Sequence, residues 1–483
     1  MMSPGLFEKE LQLRKLFVEL IGKKKDKHST VYPEFPFFFE KHSEVNLGDV
    51  KKLWQERIEK VKNGDNDISL ILSIPFCRSR CEYCSHYRWT DKQTSEVDIY
   101  VRLLVQEMRS YKDIFKGVQF KRLQVMGGSP SRLTEKQIRD VLVGVRENFD
   151  VEKDATQYFD FNPKDSSRGK MQILADHGIN GITFGVQSLD PEVLRWANRG
   201  YQDYDTIKKA VGDVREFPSL KRINVEMLIG LWNDTPQTVL ETFVKLAKLK
   251  IDLVRVYRLS PNPSYVKKYY KNSKEIFDRQ LEEKLRIFEK LAAPVAKDLG
   301  YRFISISEDY PDQESLSFDF LLEKHDPMVR RKYNFRKGDL ILDCLGIGVD
   351  SESKISGVIY YKNDGFASSG KERDGLEVMY QATFLSTKGS KFAYIVKMLE
   401  NNTGLSTIQY ERVFGTDIRD DFKVGIRKLQ RLRALTISGD VLSLTAKVKE
   451  ERLVWLLFFI DNKTVLSGID RCIKERSGIF DAS

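Results

Sequence analysis

Six short apolar runs recur between residues 68 and 258, at 68–74, 122–126, 157–161, 181–186, 222–229 and 253–258. Helical patterns separate them, at 94–111, 135–147, 167–177, 204–215 and 236–248. Strands that alternate with helices of this length predict parallel βαβ units and an α/β fold. Polar and glycine-rich residues cluster at or just after the end of most runs. In parallel α/β folds that edge is where ligands bind.

Three of the five cysteines, Cys77, Cys81 and Cys84, sit on the loop leaving the first run. Thiols spaced this closely on one loop can converge on a metal. A structural zinc site needs four ligands, usually in two pairs. Cys344 and Cys472 stand alone, and His86 is the nearest substitute. A four-iron, four-sulfur cluster held by three cysteines leaves one iron open. Both metals, and buried structural cysteines, are compatible with the residues alone. Free thiols in a chain of 483 residues predict a reducing, cytoplasmic setting.

The other run ends carry their own chemistry. Gly127 and Gly128 follow the second run and allow close backbone approach, or a tight turn. Asp160 ends the third, Gln187 the fourth, Arg199 lies in the loop beyond, and Glu226 lies in the fifth. Carboxylates and amides accept from sugar hydroxyls, and a guanidinium forks onto a carboxylate. Taken singly, each of these reads equally well as a cap or a surface group.

The remaining chain divides by composition. Residues 1–66 form an entry region with helices at 5–22 and 50–61 and an aromatic, extended strap at 31–39. Residues 67–305 are the repeating core, and 306–370 extend it with a glycine-rich turn at Gly346, Gly348 and Ser351. Helices at 376–400, 407–412 and 419–433, then a hairpin at 434–444, make 371–460 a winged-helix-like domain, and 461–483 a tail. The net charge of +10 is spread along the chain, Lys23-Lys24-Lys25 being its densest run, so a solvated surface is expected rather than a nucleic-acid site. The apolar run at 453–460 is too short to span a bilayer, and the acidic N-terminus does not read as a secretory signal.

The cysteine spacing resembles the radical S-adenosylmethionine (SAM) superfamily. The resemblance implies a [4Fe-4S] cluster on Cys77, Cys81 and Cys84, SAM on the open iron, and a 5′-deoxyadenosyl radical that abstracts hydrogen. It also implies Tyr83 beside the adenine and Gly127 and Gly128 at the SAM amino group. The order Ile74-Pro75-Phe76-Cys77, Gly127-Gly128-Ser129-Pro130, Asp160-Phe161-Asn162-Pro163, Gly185-Val186-Gln187-Ser188 and Asn198-Arg199-Gly200 is more specific. Together with Tyr32-Pro33 upstream, it resembles the oxygen-independent coproporphyrinogen III dehydrogenase-like (HemN-like) family, over roughly residues 30–460.

That resemblance implies a partial (β/α)6 TIM-like barrel, with an N-terminal extension and a C-terminal helical, winged-helix-like domain. It further implies SAM contacts at Asp160, Gln187, Arg199 and Glu226, a small-molecule substrate, and an electron donor such as flavodoxin or ferredoxin. Asp160 and Glu226 depart from the family's usual Glu and Asp, and move their charges by about a methylene. Ile71, Ser73 and His86 stand where the true dehydrogenase has Tyr, His and Cys, which argues against porphyrin chemistry. Class C radical SAM methyltransferases share the layout and bind two SAM molecules, the second of which Gly346 and Gly348 would help hold. Methyl or methylene transfer to an unactivated carbon is therefore the reaction this reading prefers, with porphyrin oxidation and haem carriage as alternatives.

Overall fold

The computed structural model describes residues 4–22, 39–61, 68–90, 92–305, 317–322, 343–355, 358–366, 378–400, 404–445, 448 and 452–476. Lys23-Lys24-Lys25, Tyr32-Pro33 and the strap at 31–38 lie outside the described residues. The strands of the main sheet are β1 Phe39–Asn46, β2 Ile68–Ile74, β3 Gln119–Gly127, β4 Asp150–Phe161, β5 Gly181–Gln187, β6 Arg222–Ile229, β7 Leu253–Arg258, β8 Tyr301–Ser305, β9 Ser317–Leu322, β10 Asp343–Ile347, β11 Glu352–Ile355, β12 Ile359–Phe366 and β13 Val378–Leu385. Their order across the sheet is β1-β13-β12-β11-β10-β2-β3-β4-β5-β6-β7-β9-β8.

Strands β2 to β7 are all parallel, because each crossover contains a helix that returns the chain to the same edge. On one flank β10 runs parallel to β2, and on the other β9 runs antiparallel to β7. Among the described residues the edge strands β1 and β8 do not pair with each other, so the barrel is open.

Register sorts the side chains of the parallel strands onto two faces. Leu70, Leu72, Leu123, Val125, Phe159, Ile182, Val225 and Val254 face the helices and form the main core. Ile71, Gln124, Asp160, Thr183, Glu226 and Arg255 occupy the alternate positions on the opposite, inner face. A strand's two-residue period makes that separation automatic.

A second core sits in the C-terminal part. Helices Thr387–Glu400, Thr407–Phe414, Ile418–Asp421 and Lys423–Arg431 pack beside a three-stranded sheet of β14 Leu405–Ser406, β15 Leu435–Ser438 and β16 Val441–Leu444. The β15–β16 hairpin turns at Gly439, whose φ of 60° suits a residue without a Cβ. The N-terminal helix Pro4–Gly22 also docks here. Its buried Arg14 donates to Leu457 O at 3.1 Å, Ile460 O at 3.1 Å and Asn462 Oδ1 at 2.9 Å.

One sequence expectation is corrected. Residues 376–400 are not a single helix. Val378–Leu385 is strand β13, and the helix begins at Thr387. Val378, Tyr380 and Ala382 are buried with a period of two, which belongs to a strand paired on both sides, here with β1 and β12.

Candidate functional site

The cysteine loop leaves the C-terminal end of β2 and is closed on itself. Cys77 N–H donates to Trp89 O at 2.9 Å and Trp89 N–H to Pro75 O at 2.6 Å. Phe76, Trp89 and Tyr100 pack ring against ring beneath that closure, with centroids 5.2–5.7 Å apart. Aromatic burial here fixes where the loop starts and ends.

Neighbouring strand ends then tie down its interior. Arg78 Nη2 reaches Asp165 Oδ1 at 2.5 Å, in the turn after β4. Asn198 Nδ2 donates to Arg80 O at 2.8 Å, from the loop after β5. Asn262 caps the helix Pro263–Tyr269 through its oxygen, while its Nδ2 donates to Glu82 O at 3.0 Å and Cys84 O at 3.2 Å. A capping side chain thus also holds the cysteine loop. Asn198 belongs to the Asn198-Arg199-Gly200 motif, whereas Asp165 and Asn262 are not singled out in the sequence. The only local sign was Asn262-Pro263, a helix-start pattern.

The three thiols are free and half-buried. Burial, then the neighbouring Cys84 and Cys81, push the Cys77 thiol up to about 12. Burial also raises Cys84. Among the described residues no three Cys, His, Asp or Glu side chains converge into a ready-made metal set. Cys81 instead turns its sulfur toward Arg199, with Nη1 3.6 Å away. By donor chemistry the loop fits an iron–sulfur group. Three reduced sulfurs share one anchored loop, and bound cations offset the burial and mutual repulsion that oppose their ionisation.

Arg199 is 6 % exposed, and its Nη2 donates to Gly185 O at 2.6 Å and Gln202 Oε1 at 2.9 Å. Burial works against its charge, but Tyr83 and Cys81 beside it more than compensate and hold its pKa above the usual arginine value. Its Nε is buried with no hydrogen-bond partner among the described residues, a donor suited to a ligand carboxylate. Tyr83 packs against the core cluster, and burial raises its phenol.

Gly127 has φ +118°, and Gly128 packs so tightly on the cysteine loop that a Cβ there would lie 2.8 Å from Pro75 C and 3.0 Å from Cys77 Sγ. Gln187 ends β5 with φ 69°. Asp160 and Glu226 lie half-buried on the inner face, and Tyr257 Oη donates to Glu226 Oε1 at 3.3 Å. The structure therefore gathers the cysteines, Tyr83, Gly127, Gly128, Gln187 and Arg199 along the C-terminal ends of β2 to β5. Gly346 and Gly348 stand on the far side of β2, where Gly346 pairs with Ile71 and Gly348 N–H donates to Glu107 Oε2 at 2.9 Å.

Residues 71–246 match the Radical SAM superfamily. The chain is 27% identical over 303 residues to the oxygen-independent coproporphyrinogen III oxidase of Escherichia coli, covering 62% of this chain and 64% of that protein. It is 25% identical to the oxidase of Helicobacter pylori over 83% of this chain and 86% of that one. It is also 25% identical to the heme chaperone HemW of Buchnera aphidicola, over 60% and 70% respectively. The alignment to the Escherichia coli relative thus spans under two thirds of its length. The solved structure of coproporphyrinogen III oxidase (HemN) from Escherichia coli shares the fold, with a TM-score of 0.66 at 23% identity over 89% of this chain and 96% of that one. No described helix is long and apolar enough to cross a membrane. The superfamily implies a [4Fe-4S] cluster and SAM, and the chain is similar to the HemN oxidases around a segment, residues 71–246, that matches the radical SAM superfamily.

Proposed function

We propose that Cys77, Cys81 and Cys84 hold a [4Fe-4S] cluster, that Tyr83, Gly127, Gly128, Asp160, Gln187, Arg199 and Glu226 bind SAM, and that the substrate is a small molecule on the inner face. When bound, the cluster and SAM supply a 5′-deoxyadenosyl radical for hydrogen abstraction. The observation that carries the reading is Arg199, whose orphaned buried Nε lies beside a cysteine loop clamped at the strand ends. Its guanidinium would take the SAM carboxylate. Gly128 would keep the backbone clear beside Cys77, and Tyr257 would orient Glu226 toward a ribose hydroxyl.

Side-chain oxidation of a porphyrinogen is the reaction to test first, because the oxidases are relatives over most of this chain. Haem carriage is the second reading, favoured by the likeness to HemW and by Ile71 and Ser73 lining β2 in place of the oxidase's Tyr and His. Methyl transfer, preferred from the sequence, finds no support among the relatives. One anaerobic experiment separates the three. Reconstituted protein, reductant and methyl-labelled SAM are incubated with coproporphyrinogen III or with haem, and 5′-deoxyadenosine, carbon dioxide, labelled product and bound haem are measured. Carbon dioxide release supports oxidation, labelled product supports methylation, and haem binding without SAM cleavage supports carriage. Absence of SAM cleavage and of haem binding would sink the reading altogether.

Reduction needs a partner. Arg80, Arg195, Lys267 and Lys268 are exposed on the elements that bracket the outer side of the cysteine loop, which suits an acidic electron donor such as flavodoxin or ferredoxin.

A further inference from the structure

The turn that ends β5 is strained. Ser188 N–H returns to Val186 O at 2.9 Å, so Val186, Gln187 and Ser188 form a γ-turn whose central residue has φ 69°. A residue with a Cβ rarely adopts that conformation, and it persists only where the surroundings impose it. The β5–β6 pairing also slips by one residue there, between Gly185 and Gln187.

Gln202 is what holds the turn in place. It is 4 % exposed and has no surface of its own to serve. Its Nε2 donates to Val186 O at 2.6 Å and to Ser188 O at 3.3 Å, so one amide group bridges the carbonyls at both ends of the γ-turn. Its Oε1 accepts from Arg199 Nη2 at 2.9 Å. The same Nη2 reaches Gly185 O, two residues before Gln187. Only a side chain with two N–H donors and one carbonyl acceptor completes this set. A glutamate in its place keeps the acceptor but turns a carboxylate onto two carbonyls. A methionine of similar volume supplies neither donor nor acceptor.

We propose that Gln202 is a positioning residue for SAM: its single amide fixes both the turn that presents Gln187 and the guanidinium of Arg199, leaving Arg199 Nε for the ligand. This rests on the reading of Gln187 and Arg199 as SAM contacts. Gln202 itself touches no ligand. Its effect runs through Arg199 and the turn, so its loss and the loss of Arg199 are coupled rather than additive.

The test measures SAM affinity by equilibrium dialysis on the reconstituted protein, with iron content and thermal midpoint recorded in parallel. Gln202→Met is expected to weaken SAM binding about tenfold or more, with cluster content kept. Arg199→Lys weakens it as well, and the double variant loses less than the sum of the two single losses. Gln202→Glu, which keeps the contact to Arg199 and frees only the turn, falls between Gln202→Met and the unaltered protein. It also carries the test if Gln202→Met loses its cluster or melts early. Unaltered affinity in both Gln202 variants, or full additivity with Arg199→Lys, overturns the proposal for Gln202 alone. No SAM binding by the unaltered, cluster-loaded protein overturns the underlying reading along with it.

Discussion

Replacing Gly128 with Ala tests whether the glycine pair matters through the cysteine loop. An ideal Cβ at residue 128 would lie 2.8 Å from Pro75 C, 3.0 Å from Pro75 O and 3.0 Å from Cys77 Sγ. Ordinary contact begins near 3.4 Å, so one side must move by about 0.6 Å. Neither side yields cheaply. Gly128 N–H is bonded to Ile74 O at 2.9 Å, and Pro75 O accepts from Trp89 N–H at 2.6 Å. Moving the 75–77 backbone therefore opens the closure that defines the cysteine loop. Overpacking of this kind costs about 1–3 kcal/mol. Confined to the loop, that is roughly a fivefold to hundredfold weaker hold on its metal. The assay is iron retained against a chelator after anaerobic reconstitution, with the thermal midpoint as a check on the rest of the fold. Gly117→Ala is the control. It has φ +78° but nothing within 4 Å of its added Cβ, so it carries backbone strain without touching the loop. If Gly128→Ala retains iron as well as Gly117→Ala does, the close approach has no functional consequence.

Three further outcomes are expected. Asp165→Asn releases Arg78 and Arg132 from a buried carboxylate and costs about 1.5–3 kcal/mol at most, since both arginines are partly exposed. Trypsin should then cut faster after Arg78 or Arg80, and an unchanged rate would mean that the ion pair does not restrain the loop. Burial lifts Glu107 from 4.5 to about 7 despite the donors Gly348, Tyr380 and Asn363. A carboxyl whose pKa rises on folding stabilises most below pH 4.5 and loses that contribution as pH climbs through 7, roughly 3 kcal/mol in all. Urea midpoints of the unaltered protein should therefore fall relative to Glu107→Gln across that window, whereas parallel curves would count against it. Finally, replacing Cys77, Cys81 and Cys84 together with Ala should abolish iron and sulfide binding, and a cluster surviving in that variant would refute the ligand assignment.

What was legible in the sequence is what local periodicity can carry. The helix Thr94–Tyr111 and the strands β2, β6 and β7 begin and end as the apolar pattern predicts, because parallel strands and their covering helices bury continuous or stripe-like faces. The cysteine loop was legible through spacing alone. Strand β13 was not, because its alternation runs straight into the helix at Thr387 with no proline between them. Asp165, Asn262 and Gln202 were missed for a different reason. Each is an ordinary polar loop residue whose importance lies in a partner far along the chain, such as the Asn262 contact to Cys84. No pattern within a window of residues encodes such a pairing.

The helix Thr94–Tyr111 joins the two halves of the main sheet at the point that matters. Tyr100 and Glu107 lie on one face of it, seven residues and so nearly two turns apart. Tyr100 Oη donates to Ser73 O at 2.6 Å, just before the cysteine loop, and accepts from Val349 N–H at 3.2 Å. Glu107 takes the Gly348 N–H and also the hydroxyl of Tyr380 at 2.9 Å, from β13. The glycine at 348 is required because a Cβ there would meet Ser73 O and Tyr100 Oη, each at 2.7 Å. Gly346 N–H is occupied as well, by Ser353 Oγ at 2.8 Å. A ligand beside this turn would therefore be held by inner-face side chains rather than by these amides. Tyr100 and Glu107 thus tie β10 and β13 to the end of β2, where the cysteine loop begins.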